Sequence, residues 1–234
     1  MYFTRRSFIG TAGAGAGIAA ITTLGIPVTA AEAQVVYQHS DWKFTGFDKL
    51  LKHRGTAKQV YDIRPIGEGK FLNNIKNSLN GFHYGFDIPA SEIKIAVAMH
   101  GPSNMLNFND SMWEKYRLGE WLKVDDPKTG KPAIRNIYFP KSSGSSTNPN
   151  DKNSLFQDTS IEALQGRGVQ FLSCHTATEE QAPALINHFS LKASADEIVQ
   201  DLQAHTLSGV LIVPAMVAAI SLLQSQGHFT YITV

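Results

Sequence analysis

The segment Ile93-Lys94-Ile95-Ala96-Val97-Ala98-Met99 is a nearly continuous apolar run that stops at His100-Gly101-Pro102. A strand apolar on both faces belongs inside a sheet covered by helices on both sides, the environment of parallel β-structure. The rest of the chain alternates around it. Gln59 to Ile63 reads as a short strand. Phe71, Leu72, Ile75, Leu79 and Phe82 recur at helical spacing and give one apolar face. Met105, Leu106, Met112, Trp113 and Tyr116 predict a further helix. Beyond a break in the rhythm come a short helix at Ser160 to Gln165, a strand from Val169 to Cys174 and helical segments between Thr178 and Leu207. A strand at Val210 to Val213, a helix from Ala215 to Gln226 and a last strand, Phe229 to Thr233, complete the pattern. Pro183 sits inside the first of the helical segments after Thr178 and leaves its start open.

Alternating strands and helices predict an α/β fold: three layers, α/β/α, around a mainly parallel central sheet of about five strands. Residues 34–57 read as a loosely structured lead-in, with Trp42, Phe44 and Phe47 able to pin it to the core. The main domain covers 58–234, with an insertion at about 119–159. In the insertion, Asp-Pro, Thr-Gly and the run Ser142 to Asp151 mark turns and a loop, and Ile134 to Phe139 reads as an extra edge strand.

The first residues carry a different message. Thr4-Arg5-Arg6-Ser7-Phe8-Ile9 resembles the twin-arginine export consensus, and an uncharged, glycine-rich stretch from Ser7 to Ala31 follows it. Ala31-Glu32-Ala33 has the small-x-small form of a cleavage site. Residues 1–33 are therefore expected to be a signal peptide, the mature protein to be periplasmic and exported folded, and no membrane insertion to last after cleavage. The chain has 21 basic and 20 acidic residues. Without Arg5, Arg6 and Glu32, 19 of each remain and the net charge is zero. Nothing in that balance suits a polyanion, so nucleic acid is not an expected partner. The single cysteine, Cys174, excludes an internal disulfide; in the expected oxidising compartment an unpaired thiol is buried, reactive, metal-bound or paired between chains.

Parallel sheets bind ligands at the carboxyl ends of their strands. Three strands leave distinctive groups there: His100-Gly101-Pro102, Cys174-His175 and Pro214. Four stretches around these groups resemble the DsrE/DsrF-like family, the sulfur-relay fold that includes the TusBCD proteins. They are Phe71 to Leu79, Ile95 to Pro102, Leu164 to Cys174, and Val213 to Ile232. In order and spacing they are similar to the family's LNNIxN helix, its HGP turn, its GVxFxxC strand and its VPAGVxxIxxLQxxGYxYI ending. Two positions depart from the pattern: His175 stands where the family often has Asn, and Met216 where it has Gly. The resemblance implies a sulfurtransferase or persulfide carrier with no cofactor, partnered by a small sulfur compound or a sulfur-carrier protein. It also implies a homotrimer or homohexamer.

Cys174 and His100 are the candidate catalytic residues. A thiolate attacks sulfane sulfur and holds it as a persulfide, and the N-terminus of a following helix favours the anion. Histidine beside it can pair with the thiolate or move a proton. His175, Gly101, Asn104, Pro214 and Ala215 are candidate substrate-binding positions. His175 joins the site only if the chain turns after Cys174. Asn104 and the nearby Asn107 also suit surface capping, Pro214 suits a tight strand-to-helix turn, and Ala215 offers a backbone N–H. Free cysteine is equally at home buried in a core. Two further readings stay open. One is a copper or zinc site built on the cysteine and histidines, although no His-x-x-x-His or Cys-x-x-Cys spacing supports it. The other is an oligomeric module that binds a small ligand or partner without catalysis.

Overall fold

A computed structural model describes residues 35–234, so the signal-peptide expectation at 1–33 lies outside the described residues. Five strands make the central sheet: β1 (Ala57–Ile63), β2 (Ile93–Met99), β5 (Gln170–Cys174), β6 (Leu211–Val213) and β7 (Thr230–Thr233). Their order is β6-β5-β2-β1-β7 and every pairing is parallel. The apolar run of β2 lies at the centre of this sheet, paired with β1 through Ala57↔Ile93 to Ile63↔Met99 and with β5 through Ala96↔Gln170 to Met99↔Ser173.

Alternation of side chains along the strands divides the core in two. Tyr61, Ile63, Ile95, Val97, Met99 and Phe171 face one side. They are covered there by α2 (Lys70–Asn80), α3 (Asp110–Lys115), α5 (Ile161–Gly166), α6 (His175–Phe189) and α7 (Ala195–Ala204). Val60, Ala96, Ala98, Leu172, Cys174 and Val213 face the other, under α1 (Thr45–Leu51) and α8 (Met216–Ser225). The expected three-layer α/β/α architecture is the one observed. Among the described residues no helix is long and apolar enough to cross a membrane.

Three segments differ from the sequence expectation, and a fourth settles a start that the sequence left open. The lead-in is not loosely structured: α1 occupies it and buries Phe47 and Leu50 on the sheet. The helix expected from Met105 to Tyr116 is two pieces, a 3-10 stretch Gly101–Asn107 and α3, because Asn109 caps α3 by accepting the Met112 N–H. Ile134 to Phe139 is turn, not strand. Its polar groups are spent on the segment after β2: Asn136 donates its side-chain N–H to the carbonyls of Leu106 and Phe108, and its backbone N–H to Asp110. A short helix, α4 (Leu118–Leu122), and a two-stranded hairpin, β3 (Asp125–Asp126) with β4 (Lys131–Pro132), supply the regular structure nearby. Finally, α6 runs through Pro183, whose missing N–H deprives the carbonyl of Glu179 of its intrahelical donor.

The distal part of the insertion is fastened by Asp158. Burial works against its charge, but N–H groups of Ser160, Ser143 and Ser142 outweigh that and hold its carboxyl down at about 2. A carboxyl more acidic folded than unfolded stabilises the fold above the unfolded value of 3.8, and that contribution is lost as pH falls towards 2. Thermal unfolding of wild type and Asp158→Asn at pH values across that window is expected to show about 2 kcal/mol of acid-dependent stability in the wild type alone. Equal acid sensitivity in both would contradict the assignment.

Candidate functional site

The carboxyl ends of β2 and β5 are joined by one side chain. Asn104, fully buried in the 3-10 stretch after β2, accepts the Cys174 N–H and the Ser173 hydroxyl at Oδ1, both at 2.9 Å. Its Nδ2 donates to Thr178 Oγ1 at 2.9 Å and to the Cys174 carbonyl at 3.3 Å. Asn107, also buried, donates to Asn104 Oδ1 and to the Leu172 carbonyl. Neither asparagine is a surface cap. Both spend their amides on the backbone that carries the thiol.

The turn before Asn104 is held just as closely. His100 N–H and Ser103 Oγ–H donate to the Ile63 carbonyl, and Ser103 N–H donates to that of Arg64. Gly101 takes φ +58°, and an added Cβ would meet only the Arg64 carbonyl oxygen at 3.9 Å. Its requirement for glycine is therefore one of backbone conformation rather than space. The Gly101 carbonyl accepts a hydrogen bond from Gln181 of α6.

Cys174 is the N-cap of α6 and only 3% exposed. Its sulfur is nevertheless well supplied with donors. Sγ accepts the Ala177 N–H at 3.4 Å and the Met216 N–H at 3.3 Å, and shares a hydrogen bond of 3.1 Å with the Thr176 hydroxyl. The N–H from the second turn thus belongs to Met216 and not to Ala215, whose carbonyl instead accepts from Ala219 in the first turn of α8. The Pro214 carbonyl accepts the Thr176 N–H at 3.2 Å, tying the β6–α8 turn to the start of α6.

The chain does turn after Cys174, since His175 opens α6, but the imidazole goes to a different neighbourhood. His175 is buried, edge-on to the rings of Tyr37 and Trp42 with centroids 4.7 and 5.1 Å away. Its Nδ1 is hydrogen-bonded to Gln203. Its Nε2 lies 3.3 Å from Glu179 Oε1, out of line for a hydrogen bond. The lead-in therefore covers both His175, through these rings, and the face of Cys174, through α1.

His100 is the more open histidine, with 16% of its side chain exposed. Its Nε2 lies 2.6 Å from Asp62 Oδ1, and Tyr231 of β7 donates its hydroxyl to Asp62 Oδ2 at 2.6 Å. The hydrogen bond to Asp62, with burial adding, pushes the Tyr231 phenol above its ordinary value. Sequence reasoning missed Asp62 and Tyr231. The signal was there: Asp62 shares the strand face of Val60, a position where a carboxylate on a covered sheet needs a partner.

On the opposite face of the same rim lies a cavity of about 750 Å³, walled by Pro65, Ile66, Pro102, Trp121, Val124 and Tyr138. Cys174 and His100 do not line it. Among the described residues no group of three or more His, Cys, Asp or Glu side chains is placed to hold a metal ion. Compared with protein-family models, curated proteins and solved structures, the chain matches none.

Replacing Asn104 with alanine would strand buried donors on Ser173 and Cys174. At about 1–3 kcal/mol for each group left unsatisfied, Asn104→Ala is expected to cost about 2–6 kcal/mol in denaturant unfolding, roughly two such groups. A loss under about 1 kcal/mol would show that Asn104 does not hold the turn.

Proposed function

We propose that the chain is an exported carrier or transferase of sulfane sulfur, with Cys174 as the sulfur-accepting thiol. The observation that carries this reading is the set of donors around Sγ: two backbone N–H groups from two different helix starts, with the Thr176 hydroxyl beside them. A cysteine packed only as a small hydrophobe has no use for such a shell, whereas an anionic sulfur is solvated by it. The thiolate attacks a terminal sulfane sulfur of polysulfide. A new S–S bond forms on Cys174, the donor's S–S bond breaks, and the departing sulfur leaves with the electron pair, so no outside oxidant or reductant is required. At 3% exposure, delivery to Cys174 depends on opening of the apolar cluster it shares with Phe47, Leu50 and Met216. Small inorganic donors are favoured over a protein tail for the same reason.

A second reading draws on the cavity, which offers an aromatic and aliphatic wall to a small apolar ligand without involving the thiol. Among the described residues, metal binding by Cys174 and the histidines has no comparable arrangement behind it.

Treating the protein from residue 34 onward with inorganic polysulfide and weighing it intact is expected to add sulfur to the wild type and none to Cys174→Ala. An unmodified wild type, or an equal adduct on the variant, removes the carrier reading. Binding of apolar fragments that is lost in Trp121→Ala, with Cys174 inert throughout, would favour the second.

A further inference from the structure

Four adjacent strands present one polar group each on the face that holds the thiol. In spatial order they are Cys174 of β5, His100 at the end of β2, Asp62 of β1 and Tyr231 of β7. Ala96 and Ala98 of β2 share an apolar cluster with Leu172 and Cys174. His100 continues the same alternation with extended backbone, φ −146° and ψ 171°. The register Met99↔Ser173 makes His100 and Cys174 the next pair along, one strand apart, and neighbouring strands are separated by about 4.8 Å.

The hydrogen bonds within this row have a direction. Asp62 as a carboxylate has no proton to give, so both contacts must be donated to it. Tyr231 gives its O–H to Oδ2 and His100 its Nε2–H to Oδ1, each at 2.6 Å. The proton of a neutral His100 is thereby fixed on Nε2, and its lone pair is left on Nδ1. Among the described residues, the side-chain hydrogen bond of this ring is the one from Nε2 to Asp62.

We infer that Asp62, itself locked by Tyr231, is a positioning residue that holds His100 as the Nε2–H tautomer, with Nδ1 as the working base of the site. Resting on the sulfur-transfer reading, the role is specific. Nδ1 receives the proton that the Cys174 thiol gives up and returns it to the sulfur that departs from polysulfide, so the proton count is unchanged over the step. An amide at position 62 loses this one-way direction. In Asp62→Asn the Tyr231 hydroxyl can donate to the amide oxygen, leaving the NH₂ group for Nε2, or accept from the NH₂ group, leaving the oxygen for Nε2. Nε2 accepts in the first arrangement and donates in the second, so the ring is released from the Nε2–H tautomer and its proton is shared between Nε2 and Nδ1.

Long-range ¹H–¹⁵N correlation spectra of His100 in labelled protein from residue 34 onward read the tautomer directly. Wild type and Tyr231→Phe are expected to show Nε2–H, and Asp62→Asn to show a substantial Nδ1–H population. In parallel, sulfur loading from inorganic polysulfide, followed by intact mass, is expected to slow by about twofold or more in Asp62→Asn, in proportion to the Nε2–H population lost. An Nδ1–H ring in the wild type overturns the inference without recourse to any variant, and so does an unchanged ring in Asp62→Asn. A flipped ring with unchanged loading overturns the role of Nδ1 as base. If wild-type Cys174 takes up no sulfur while the ring still flips, the sulfur-transfer reading falls and the tautomer lock stands.

Discussion

The amide of Asn104 is the interaction on which the rim depends. It lies between two crossover connections that are seventy positions apart in the chain and satisfies buried groups on both sides of the β5–α6 turn. Without it the N–H of Cys174 and the hydroxyl of Ser173 would have no acceptor in a place water does not reach. A buried network of this kind is rigid only when every member is satisfied, so the asparagine fixes geometry more than it contributes net stability. The donors that reach Sγ from Ala177 and Met216 can converge only because that turn is held still.

The two faces of the sheet give the rim two unlike neighbourhoods. On the α2 side, Pro65, Ile66 and Pro102 open onto a cavity completed by Trp121, Val124 and Tyr138, which lie in or beside the 119–159 insertion. On the α1 and α8 side, the thiol, His100 and Asp62 lie under closer cover. One loop, His100-Gly101-Pro102, serves both: its first residue binds Asp62 and its last lines the cavity. The positive φ of Gly101 between them is what lets the chain change sides so abruptly.

How much of this the sequence revealed depends on the range of the interaction. The run Ile93 to Met99 announces a central strand because burial on both faces leaves no room for polar residues. Phe71, Leu72, Ile75 and Leu79 announce α2 because a helix with one covered side must repeat its apolar residues. Asn104 and Asn107 resemble ordinary capping residues, since nothing local distinguishes an amide that faces water from one that crosses the core. Asp62 reaches His100 across 38 positions and Tyr231 across 169, so neither pairing leaves a local spacing to read. The insertion misleads in the opposite way. Ile134 to Phe139 has strand-like composition, but Asn136 commits the segment to the loop after β2.

Placing the lead-in over the thiol bears on chemical lifetime. Oxidation beyond the first stage converts a cysteine irreversibly, and its rate follows thiolate exposure. Cys174, under α1 and α8 with 3% of its surface open, meets dissolved oxidants only during excursions of that cover. Under the sulfur-transfer proposal, uptake and damage share one gate, and the packing of Phe47 and Leu50 sets how long the residue survives between turnovers as well as how fast it works.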